Sequence, residues 1–85
     1  KHAWFSYRGG NGDKYKIGYA FSKEKNNWNL NLSKNTIFTS NEGWDCEMIE
    51  YPFVFEYNKE IFMLYNGNQY GKTGIGLAVM KNNQL

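Results

Sequence analysis

One internal repeat constrains this chain more than any other feature. Sliding the sequence by 58 residues places Ala3 through Lys23 on Ile61 through Lys81 without a gap. Identities fall at Tyr7/Tyr65, Gly9/Gly67, Lys14/Lys72, Ile17/Ile75, Gly18/Gly76, Ala20/Ala78 and Lys23/Lys81. That is seven matches in 21 positions, where chance gives roughly one or two. Trp4/Phe62 and Tyr19/Leu77 keep apolar bulk, and both copies read as strand, Tyr-x-Gly turn, then a strand ending Ile-Gly-x-Ala. A repeated unit of this kind is a β-hairpin, so the chain is predicted to be all-β and antiparallel.

The rest of the pattern agrees. No long stretch carries apolar residues at helical spacing, and no segment joins helix caps to a helical stripe. Residues 3–7, 15–20, 53–57, 61–65 and 74–79 are short, aromatic and β-branched, and read as strands. Trp28, Leu30 and Leu32 alternate with Asn29 and Asn31, which predicts an outer strand with one face toward water. Residues 9–13, 57–60 and 67–71 supply the Gly and Asn that tight turns need. Pro52 stands at the entry to a strand, where a missing N–H breaks no ladder.

Two hairpins with a strand on either side are what four-stranded propeller blades need. In the first unit, residues 3–8, 14–22 and 28–32 read as the second, third and fourth strands, and the first is absent. In the second, residues 51–57, 61–66 and 72–79 read as the first, second and third, and the fourth is absent. The chain is therefore expected to be a single partial domain over residues 1–85. Residues 1–40 would end one blade, 41–85 would form most of the next, and the whole would make about one and a half blades. Unpaired strand edges in such a piece predict association with another chain, a second copy included, or a rearranged sheet.

Composition narrows the function. Ten Lys and Arg against eight Asp and Glu leave a net charge of +2 with no basic run, so a nucleic-acid partner is not expected. Aromatic residues make up 19% of the chain, too many for a disordered tail. No apolar stretch reaches the roughly 18 to 20 residues of a membrane helix, and no membrane partner is expected. One cysteine, Cys46, and one histidine, His2, make neither an internal disulfide nor a closed zinc site, and no metal is expected. Gly67 through Thr73 has a phosphate-loop flavour, but three residues separate Gly67 from Gly71 and a strand follows, so no nucleotide or other cofactor is predicted. The chain begins at Lys1 rather than Met, from which we expect earlier residues to have been removed.

The segments Trp4-Phe5-Ser6-Tyr7-Arg8-Gly9, Ile17-Gly18-Tyr19-Ala20-Phe21-Ser22 with Trp28 following, and Met63 to Asn68 with Gly74 to Ala78 resemble blades of five-bladed β-propellers. They are similar to the glycoside hydrolase superfamily of families 32, 43, 62 and 68, which includes arabinanases, xylosidases and invertases. The superfamily's usual Ala-x-Ser-x-Asp-Gly-x-x-Trp pattern stands here as residues 20–28 without its Asp-Gly, so that turn is expected to be built differently.

Glycoside hydrolysis needs two carboxyl groups flanking one sugar bond. Asp45, Glu47 and Glu50 cluster ahead of Pro52. The resemblance implies a catalytic acid in a Glu-x-Pro motif, which Glu50-Tyr51-Pro52 matches, with Glu47 as the competing candidate. The partner carboxylates of these enzymes have no counterpart here, so this chain alone is expected to be inactive. Sugars are held by aromatic faces and by amide or guanidinium groups; Trp44, Asp45, Tyr51, Tyr65, Asn66, Asn68, Arg8 and Tyr7 are the candidates. Core packing is the expected role of Trp4, Phe5, Trp28, Phe53, Phe55 and Phe62. A non-catalytic carbohydrate-binding or scaffold propeller is the alternative from another functional class.

Overall fold

The computed structural model describes residues 1–24 and 26–80. Lys81, which matches Lys23 in the repeat, and Lys25 of the 20–28 segment lie outside the described residues. Six strands follow in order: β1 (His2–Tyr7), β2 (Lys16–Glu24), β3 (Asn27–Asn31), β4 (Glu50–Tyr57), β5 (Glu60–Asn66) and β6 (Ile75–Met80). They form two three-stranded antiparallel sheets, β1-β2-β3 and β4-β5-β6, with no helix among the described residues. The protein is all-β, as the hairpin repeat requires.

The repeat maps onto β1-β2 and β5-β6, but the two hairpins do not share a register. Tyr7 pairs with Lys16, whereas its equivalent Tyr65 pairs with Gly76 rather than with Gly74. The offset is an even number of residues, so every side chain keeps its face. It has a packing consequence. Cross-strand partners put an aromatic ring beside a glycine in both hairpins, Phe5 with Gly18 and Tyr65 with Gly76. A Cβ on Gly18 would come within 2.7 Å of both Phe5 and Leu32, and one on Gly76 within 2.5 Å of both Tyr65 and Trp44. Each glycine is the floor on which a ring lies.

The layer between the sheets is built from Ile17 of β2, Met63 of β5 and Ile49 of the connecting segment, with Trp4, Ile37, Val54, Tyr65 and Ala78 packed around them. The segment joining the sheets is tied down at both ends. Trp4 Nε1 donates to the Asn35 carbonyl at 2.7 Å, Thr36 Oγ1 to the Ile17 carbonyl at 2.7 Å, and the Ile49 N–H to the Tyr15 carbonyl at 3.1 Å. Strands β1 and β4 pack together across the junction, and the Tyr51 N–H donates to Ser6 Oγ at 2.7 Å.

Both outer faces of this stack are apolar. On one end Phe53, Leu64 and Leu77 line up across β4, β5 and β6 in a single row, all exposed, with Ile75 and Val79 flanking them. On the other end Trp28 and Leu30 stand exposed on β3. Core packing was the expected role of Phe53 and Trp28, but they are 62% and 49% exposed. Alternation along the strand turns them away from the shared layer, and none of the described residues covers them. Strand β3 is the terminal strand, as its pattern predicts, though both of its faces are open.

Pro52 lies inside β4 rather than at its entry. The register shifts between Glu50 and Phe53, so Tyr51 and Pro52 together stand opposite Tyr65. Tyr51 takes a left-handed conformation, φ 53°. This is a β-bulge, and a bulge tolerates proline because the extra residue leaves the ladder.

Candidate functional site

The Glu-x-Pro segment forms that bulge. Glu50 is fully buried, and neither carboxyl oxygen has a hydrogen-bond partner among the described residues. Burial without a compensating donor disfavours the ionised form, and desolvation raises the Glu50 pKa above the ordinary carboxylate value. On the strand ladder Glu50 pairs with Asn66, which brings two predicted residues together at the start of β4. Tyr51 follows with its side chain exposed.

Four other predicted residues form a packed cluster beneath the 43–48 loop. Trp44 stacks on Tyr65 with ring centroids 5.7 Å apart and covers Gly67, Gly74 and Gly76, where any Cβ would approach it within 2.8 Å. The Tyr65 hydroxyl donates to Oδ2 of buried Asp45 at 3.1 Å. Burial first, and then the hydrogen bond and charge of Asp45, raise the Tyr65 pKa.

Asn68 is buried and works as the clasp of the loop. Its Oδ1 accepts the N–H groups of Glu47 at 2.8 Å and Met48 at 3.0 Å. Its Nδ2 donates to the Gly43 carbonyl at 3.2 Å and meets Cys46 Sγ at 3.6 Å, so the amide is engaged at both ends. The loop it shapes carries Asp45 inward and Glu47 outward.

Glu47 and Arg8 stand at a different place. They line a cleft of about 350 Å³ together with Asp13, Lys14, Tyr15, Gln69 and Tyr70. The Arg8 guanidinium lies 5.1 Å from the centroid of the Tyr15 ring, and Tyr15 meets Tyr70 edge-on at 6.2 Å. Met48 also lines the cleft, and Tyr15 accepts the Ile49 N–H, so the cleft lies two residues from Glu50 along the chain. Gln69 and Tyr70 both take left-handed conformations, φ 54° and 59°. Non-glycine residues held this way concentrate at functional loops.

Lys14, Tyr15, Gln69 and Tyr70 were not singled out from the sequence, nor was Ser6. Their surroundings read as turn signals, and nothing in the order of residues says that the loop after β1 meets the loop after β5. The repeat was the available clue, because it places both loops at the same end of equivalent hairpins. Among the described residues no group of three or more His, Cys, Asp or Glu could hold a metal ion, and no helix is long and apolar enough to cross a membrane.

No protein-family model and no solved structure matches the chain. Two curated proteins do. The uncharacterized protein Rv1502 of Mycobacterium tuberculosis strain H37Rv is 44% identical over 79 residues, covering 93% of this chain and 25% of its own length. The uncharacterized protein MT1551 of Mycobacterium tuberculosis strain CDC 1551 / Oshkosh matches with the same identity and coverage. The chain thus spans about a quarter of the length of the curated relatives it matches.

Proposed function

We propose that these residues form about one and a half blades of a β-propeller in a glycoside-hydrolase-like protein that acts on polysaccharide or oligosaccharide, with Glu50 as its proton donor. One observation carries the reading: a carboxyl group in a Glu-x-Pro bulge is buried, lacks a hydrogen-bond partner among the described residues, and is shifted toward the protonated form. A general acid must hold its proton near neutral pH, and burial is the usual means. The repeated hairpins and the two unlike apolar faces support a stack that continues at both ends. The greater length of the curated relatives leaves room for further blades and for a second carboxyl group. Alone, the chain is inactive in this reading.

The test compares wild type with Glu50→Gln in the protein, both confirmed as folded, on a panel of aryl glycosides. Loss of about 10²- to 10⁴-fold in kcat is the expected result for a lost proton donor. A Glu50 that stays sealed from substrate leaves the two rates equal, and the acid is then elsewhere, with Glu47 next. A second reading, a carbohydrate-binding module without catalysis, is favoured by Tyr51 and Tyr70, each 59% exposed. Glycan binding by a wild type that hydrolyses none of the panel selects it.

A further inference from the structure

The cleft between the loops that follow β1 and β5 has a charge arrangement that narrows the ligand. Arg8 and Lys14 come from the first loop, Gln69 and Tyr70 from the second, and Glu47 from the clasped loop. The Arg8 guanidinium carbon lies over the Tyr15 ring. A guanidinium carries in-plane N–H groups that bind carboxylate or phosphate as a fork. Asp13, the acid nearest to the two cations in sequence, also lines the cleft, with its carboxylate lying beside Gly9 of its own loop. A Cβ on Gly9 would come within 2.5 Å of its Oδ2, and its N–H donates to the Gly10 carbonyl. Glu47, whose N–H is fixed by Asn68, presents a carboxylate that accepts from hydroxyl groups and repels anions. Tyr70 offers an exposed ring.

We infer that this cleft binds an acidic sugar, its carboxylate or phosphate held by Arg8 and Lys14, its hydroxyls by Glu47 and Gln69, and its C–H face by Tyr70. The inference rests on the carbohydrate reading above and deepens it by naming the substrate class.

The experiment is a titration of the isotope-labelled protein, followed by amide chemical shifts, with glucuronate, glucose 6-phosphate, glucose and inorganic phosphate. Glucuronate or glucose 6-phosphate is expected to bind about tenfold or more tightly than glucose, the effect of a charge-assisted contact, with shifts at Arg8, Lys14 and Tyr70. Whichever of the two binds more tightly identifies the anion. The double variant Arg8→Gln, Lys14→Gln should bring the acidic sugar to the level of glucose, and Tyr70→Ala should weaken acidic and neutral sugars alike. Equal binding of glucose and glucuronate overturns the inference while the carbohydrate reading stands. Inorganic phosphate binding as tightly as glucose 6-phosphate overturns it too, since the sugar is then not read. Absence of binding by every sugar removes both readings for this cleft.

Discussion

The ring of Tyr65 lies over Gly76, its partner on the neighbouring strand, so closely that a Cβ there would stand 2.5 Å from the tyrosine Cζ. Trp44 closes on the same position, also 2.5 Å from that Cβ. Gly76→Ala is therefore expected to destabilise the fold by about 1–3 kcal/mol, the range for overpacking a filled site. Gly10→Ala, with no atom within 4 Å of the new methyl, is the control and should change little. Urea denaturation of both variants checks the pair; equal midpoints would mean that the aromatic stack has room to move.

The loop that carries Asp45 and Glu47 depends on one amide. Asn68→Ala leaves the N–H groups of Glu47 and Met48 without their acceptor, which should lower stability by about 1–3 kcal/mol. The backbone N–H of Met48 is in a buried residue, so water is a poor substitute. Hydrogen exchange at Glu47 and Met48 should accelerate in the variant. Unchanged protection there would show that the loop is held by other contacts.

Glu50 makes the fold sensitive to pH with a sign opposite to that of a salt-bridged acid. Its folded pKa lies above its unfolded value of about 4.5. The folded state then holds more protons than the unfolded state between those two values, and stability falls as pH rises through that window. Below it both states are protonated and the penalty vanishes. Glu50→Gln should accordingly gain stability relative to wild type as pH is raised from 4 to 8. Denaturant midpoints that ran parallel across this range would argue against a buried, unpartnered carboxyl.

Asp45 and Tyr65 can be separated by titration. Burial is the first cause of the raised tyrosine pKa, and the carboxylate of Asp45 adds to it. Asp45→Asn removes the charge but not the burial, so the Tyr65 pKa should fall toward the ordinary value of about 10 without reaching it. Absorbance near the phenolate band, read against Tyr65→Phe, isolates this group from the other tyrosines. A pKa that did not move would assign the whole shift to burial.

The exposed row Phe53, Leu64 and Leu77 predicts association of the chain through a sheet face. Sequence patterning predicts edge pairing instead, and the two modes respond differently to one substitution. Leu64 sits on the central strand β5, away from either edge. Leu64→Lys should shift the mass seen by light scattering toward monomer if the face is responsible, and leave it unchanged if the edges are. A wild type that stays monomeric at every concentration would remove both.

Much of the fold was legible because hairpins declare themselves locally. The runs around Tyr19 and Met63 are rich in β-branched and aromatic residues, and Gly and Asn mark where they turn. The Glu50-Tyr51-Pro52 motif was visible for the same reason. The bulge was not, since Pro52 reads equally well at a strand entry and inside a strand that has slipped by one residue. Asn68 read as a sugar ligand because nothing local shows that its amide reaches back to Glu47. The pairing of Arg8 with Tyr15 beside Tyr70 depends on how two distant loops meet, which residue order does not express.

The even offset between the β1-β2 and β5-β6 registers works like a ratchet with a two-residue tooth. A duplicated hairpin can slide by one tooth, moving residues between strand and loop, while each side chain stays on its own side of the sheet. Half a tooth would send every side chain to the other side. The loops over the Arg8 and Tyr70 cleft are therefore free to diverge in reach and chemistry without any renegotiation of the layer beneath them.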